Sequence, residues 1–169
     1  LIRSAVAGLR SGTEPLRVTA VPTLAMRWLA PRLARYHALP GAAPITLDVS
    51  AELRSEDSFD IAIRTGLGGW RGYQATALMP VEATPMLGPT LAAKARLSRP
   101  EDLAVLPLLP YDEWPRWFRE AGAEPPALHF YADDYPTHEL DAAAAVEGAG
   151  VALLSPTLFS ALLRDGKLI

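Results

Sequence analysis

The sequence predicts an α/β protein built on a parallel sheet and divided into two lobes. Short stretches with the period-2 alternation of a strand are followed by helical stretches, in the order strand, helix, strand, strand. Polar residues cluster where these strands end. A glycine-rich segment, Leu67-Gly68-Gly69-Trp70-Arg71-Gly72-Tyr73, then separates this series from a second one and is the best candidate for a lobe boundary.

Taken in order, Leu16 to Val21 (LRVTAV) reads as the first strand, with Leu16, Val18 and Ala20 alternating against Arg17 and Thr19. Pro22-Thr23 breaks it, and Thr23 suits the N-cap of a helix from about Leu24 to Ala38. Pro31 falls inside that helix, removes one backbone donor and should kink or split it. Ile45 to Val49 and Phe59 to Arg64 are the next strands. In the second series, Ala77 to Val81, Thr84 to Leu87, Leu106 to Pro110, Leu128 to Tyr131 and Val151 to Leu154 read as strands. Helices are expected at Pro89 to Ala95, from Pro100, at Trp114 to Ala121, at Thr137 to Glu147 and from Ser155-Pro156 to about Asp165. Lys167-Leu168-Ile169 has strand character and should pair with something.

Composition excludes several functions. The 169 residues contain no cysteine, so disulfides, thiolate metal sites and a cysteine nucleophile are out. No run of about eighteen apolar residues offers a membrane span. The net charge of −3 argues against nucleic-acid binding by this segment alone. The charge is uneven: residues 1–50 carry six basic and two acidic side chains. Either a solvated basic helix face or an end lying near DNA or an acidic partner accounts for that excess.

No catalytic set stands out. His37, His129 and His138 lack the spacing of a helical metal pair, and no metal site is expected. Asp133-Asp134 and Asp112-Glu113 suit loops or helix starts. Gly66-Leu67-Gly68-Gly69 follows a strand but lacks phosphate-loop spacing, and no nucleophile elbow occurs. The catalytic roster is therefore empty, no cofactor is expected, and the chain reads as a non-enzyme.

What remains is the set of polar groups at strand carboxyl ends, where open α/β sheets bind ligands against helix N-termini. Thr23 follows the first strand, Ser50 the second, and Arg64-Thr65 the third. Hydroxyls, backbone N–H groups and one arginine suit a carboxylate or similar anion. A purely structural account is also open, with Thr23 capping its helix and Arg64 pairing with an acid such as Glu82.

Four segments carry a resemblance. Arg27-Trp28-Leu29-Ala30-Pro31-Arg32-Leu33-Ala34-Arg35-Tyr36 resembles the first-helix pattern RWLxPRLxRF of LysR-type effector domains. FDIAIRTG (59–66) is similar to VDLAIRYG, and RLSRPEDLAVLPLL (96–109) to LxSPADLxxHPLL. VEGAGVALLSPTLFSALLRDGKLI (146–169) is similar to IEGxGVALxxxxLVxxxLxxGRLV. All four match in order the branch typified by the glycine-cleavage activator.

The resemblance implies an α/β fold of two Rossmann-like lobes, of the type 2 periplasmic-binding-protein kind, with a small-molecule effector held between them. It implies residues 1–14 as the tail of a linker helix, 15–67 as the first part of lobe I, 68–153 as lobe II, and 154–169 as a truncated return to lobe I. It places effector contacts at Pro22, Thr23, Leu24, Ser50, Ala51, Arg64 and Thr65, with Thr84, Tyr111 and Asp112 from the second lobe. The implied partners are an effector such as a carboxylate or amino acid, further copies in a dimer or tetramer, and promoter DNA reached through a winged helix-turn-helix domain outside this chain. A cytoplasmic location follows, with no membrane role. The chain departs from the pattern in a shorter Leu53–Asp60 connection, in Glu82–Pro89, and in lacking the strand and helix that follow the family's last motif. The competing reading is an extracytoplasmic solute-binding protein of the same fold.

Overall fold

A computed structural model describes residues 14–66 and 68–169. The expected linker-helix tail therefore falls almost wholly outside the described residues. The chain divides into two compact units between Val81 and Glu82.

In the first unit, β1 (Leu16–Ala20) is the centre of a three-stranded parallel sheet, flanked by β2 (Ile45–Val49) and β3 (Ile61–Ile63) in the order β2-β1-β3. Register pairs Thr19 with Asp48 on one side and with Ala62 on the other. Because side chains alternate, Arg17, Thr19, Asp48, Asp60 and Arg64 share one face. Leu16, Val18, Ala20, Ile45, Leu47, Ile61 and Ile63 fall on the other and join a core with Leu24, Ala25, Trp28 and Leu29.

The helix on that apolar face is continuous from Pro22 to His37 but changes type. It starts as α1 (Pro22–Leu24), passes through a π turn at Ala25–Leu29 and ends as α2 (Ala30–His37). Pro31 has no N–H to offer the preceding turn, and the amide of Ala30 reaches back five residues to the carbonyl of Ala25. The expected break at Pro31 is thus met by one wide turn just before it. Val21, not Thr23, is the N-cap: Pro22 takes the first helical position, where its fixed φ fits and its missing donor costs nothing. Thr23 sits one residue further in and is 6% exposed.

In the second unit, β4 (Thr84–Met86) pairs antiparallel with β5 (Ala152–Leu154). The strands expected around Leu108 and Phe130 reduce to single parallel bridges, Leu108 with Phe130 and with Val151. Pro107 and Pro110 flank the first of these stretches and remove ladder donors. No strand forms over Ala77–Val81. Helices α3 (Pro89–Ala92), α4 (Trp114–Glu120), α5 (His138–Val146) and α6 (Ser160–Arg164) complete the unit, with a 3-10 stretch at Pro100–Val105. Trp114 and Phe118 are fully buried in one core, and the indole N–H donates to the carbonyl of Leu109 at 2.9 Å. The final residues pair as their strand character required. The amide of Ile169 donates to Leu87 O and that of Leu87 to Ile169 O, while Leu168 is buried in the second core of this unit.

Candidate functional site

The carboxyl ends of the first unit's strands lie side by side because the sheet is parallel and in register. The amide of Ser50 donates to Ala20 O at 3.0 Å, which ties the turn after β2 to the end of β1. Arg64, just past β3, crosses to the same place. Its Nη1 donates to Ser50 O at 2.6 Å, and its Nη2 to Glu52 O at 3.0 Å and to Thr19 Oγ1 at 2.8 Å. The side chain can reach Thr19 because Ala62, the β3 residue paired with Thr19, is small. Arg64 is thus a brace for the Ser50–Glu52 turn. Partial burial holds its pKa below the ordinary arginine value, against the opposing pull of Asp48.

A second arginine completes the network. Thr19 Oγ1, itself buried, donates to Asp48 Oδ2 at 2.9 Å. Arg54 Nε and Nη2 reach the two oxygens of Asp48 at 2.9 and 3.1 Å, a fork-to-fork pair. The Arg54 and Thr19 bonds hold the Asp48 carboxyl below the usual carboxylate range. Together, Thr19, Asp48, Arg54 and Arg64 fix the residue 50–54 turn beside the start of the long helix.

The predicted residues of the first unit are placed as follows. Pro22, Thr23 and Leu24 form the first helical turn directly after β1, with Thr23 and Leu24 buried. The first intrahelical donor is Ala25, whose amide meets Val21 O at 2.9 Å, so the amides of Thr23 and Leu24 precede the helical ladder. The Oγ of Ser50 accepts from the amide of Glu52 at 3.1 Å. Ala51 and Thr65 are exposed. In the second unit, Thr84 opens β4 opposite Leu154, while Tyr111 and Asp112 lie in the exposed segment before α4. The sequence reading missed Thr19, Asp48 and Arg54. A charged residue inside the strand ITLDV was the available signal for Asp48. Nothing local marked Arg54. Among the described residues, no group of three or more His, Asp or Glu side chains is arranged to hold a metal ion.

Strand carboxyl ends beside a helix start are where open α/β sheets bind small ligands. Residues 10–169 match the family model for the LysR substrate binding domain. The chain is 34% identical over 167 residues to the HTH-type transcriptional activator AmpR of Rhodobacter capsulatus, covering 95% of this chain and 56% of that protein. It is 31% identical over 173 residues to the glycine cleavage system transcriptional activator of Escherichia coli K12, covering 95% and 54%. The solved effector domain of Pseudomonas aeruginosa AmpR superposes with a TM-score of 0.80 at 32% identity, over 92% of this chain and 77% of that one. The chain belongs to the LysR family and is its effector-binding domain, with the periplasmic-binding-protein-like fold expected from sequence. It spans about half the length of the curated relatives it matches. Those relatives are transcriptional activators. Among the described residues, no helix is long and apolar enough to cross a membrane.

Proposed function

We propose that this domain senses a small effector at the carboxyl ends of the β2-β1-β3 sheet and relays its presence to a DNA-binding domain of a cytoplasmic LysR-type regulator. The observation that carries the reading is the braced turn: Arg64 binds two backbone carbonyls there, so the Ser50–Glu52 backbone is preorganised next to Thr23. Preorganised polar groups bind a ligand without a further ordering cost. The amides of Thr23 and Leu24 and the hydroxyl of Thr23 make the direct contacts with an anionic group such as a carboxylate, with Pro22, Ser50, Ala51 and Thr65 around them. Arg64 acts through the turn.

Relay to DNA requires an effector that favours one conformation over another, because equal affinity for two states shifts neither. The working protein is a dimer or tetramer with a winged helix-turn-helix domain on promoter DNA. The test is a thermal-shift screen of amino acids and small carboxylates. A hit stabilises the wild-type domain in proportion to its occupancy, and the shift is lost in Thr23→Val. A hit that shifts wild type and variant equally removes the first-unit site.

A further inference from the structure

The second unit contains a buried carboxylate that its neighbours leave half satisfied. Asp141, in the first turns of α5, is only 7% exposed. Its Oδ2 lies 3.1 Å from Nδ1 of His138. Its Oδ1 is shielded from solvent and has no hydrogen-bond partner among the described residues. An acid is out of pattern at this position. Its buried neighbours on the helix, Ala142 and Ala145, are small and apolar, and a small apolar residue would continue that face.

The surroundings give the missing donor a chemical class. The rings of Tyr111 and His138 meet edge to face, with centroids 4.9 Å apart and planes at 89°. The phenol of Tyr111 is held above the ordinary tyrosine value first by burial and then by Glu113, Asp112 and Asp141. Tyr135 is raised in the same way by burial, then by Asp133, Tyr131 and Asp141. Aromatic rings in a negative field, next to a carboxylate oxygen lacking a donor, suit a cation that carries N–H groups. The amino end of α5 opposes a cation with about half a unit of positive charge. Glu139 and Asp141 in its first turn outweigh that on their own.

We propose that Asp141, His138 and Tyr111 form a binding site for a primary ammonium group. The ammonium donates to Asp141 Oδ1 and lies against the ring of Tyr111. His138, whose Nδ1–H donates to Oδ2, holds the carboxylate in place. Tyr111 is 39% exposed, so the ligand enters by displacing its ring while His138 keeps its bond to Oδ2. The inference rests on the second unit alone and does not depend on the reading of Thr23 and Arg64.

The test titrates the protein with n-butylammonium chloride, and in parallel with n-butanol and potassium chloride, at matched ionic strength. NMR follows the Asp141 carboxyl carbon and the His138 ring. Butylammonium should give saturable shifts at both, and neither control should. Asp141→Asn keeps the shape of the side chain and should weaken binding roughly tenfold or more. Tyr111→Leu, at a partly exposed position, should weaken it severalfold and covers the case in which the Asp141 variant fails to fold. Shifts matched by potassium chloride or butanol would overturn the site. So would an affinity unchanged in either folded variant, because water would then be the natural partner of Oδ1.

Discussion

Arg64 separates a brace from a ligand clamp. Replacing it with alanine removes the donors to Ser50 O, Glu52 O and Thr19 Oγ1. A net hydrogen bond contributes about 1 kcal/mol and a charge-assisted one somewhat more, while partial exposure and the recovered hydration of two carbonyls reduce the sum. Arg64→Ala should therefore destabilise the first unit by about 2 kcal/mol with no effector present. In native-state hydrogen exchange, amides that open with this unit, such as those of Ser50 and Asp60, should lose protection by roughly thirtyfold. Arg64→Lys keeps the charge but not the planar fork, and should recover about half of the loss. The assay is exchange on the ligand-free protein, with second-unit amides such as Leu109 and Val151 as internal controls. Unchanged protection at Ser50 and Asp60 in Arg64→Ala would refute the brace. A lysine variant indistinguishable from wild type would refute its bidentate character.

Other outcomes follow from the same contacts. The Asp48 carboxyl is held low in the folded state, so its contribution is present above the unfolded value of about 3.9 and lost as pH falls through the lower folded value. Asp48→Asn should therefore destabilise the first unit at neutral pH in urea unfolding, with the difference closing as pH falls through the lowered folded-state value. A Cβ at Gly150 would stand 2.6 Å from the carbonyl of Pro107, a backbone atom, so Gly150→Ala should cost the second unit about 1–3 kcal/mol. Leu168→Ala should cost about 2–5 kcal/mol if the final segment packs in the second-unit core, as read from its thermal unfolding.

Much of the fold was legible because its signals are local. The alternation of LRVTAV and ITLDV gave β1 and β2 nearly to the residue, and THELDAAAAVE gave α5. Pro31 announced an irregular helix, although propensity alone does not distinguish a kink from a π turn. The strands around Leu108 and Phe130 shrank to bridges because proline donors were missing, a cost that apolar character hides. Thr23 looked like an N-cap because threonine favours that place, but Pro22 fits the first helical position better and moved the start forward. Strand-end residues Ser50 and Arg64 were legible as neighbours because a parallel sheet puts them there. The role of Arg64 was not, since it depends on Ala62 being small opposite Thr19 and on two carbonyls of a loop. Asp141 escaped notice because only tertiary burial distinguishes it from any other acid in a first helical turn.

The most direct measurement is isothermal titration of an effector identified by the screen against wild type and Thr23→Val. The valine variant, nearly the same shape without the hydroxyl, should fold normally and bind at least roughly tenfold more weakly. Equal affinity in the two proteins would contradict an effector site at the carboxyl ends of this sheet.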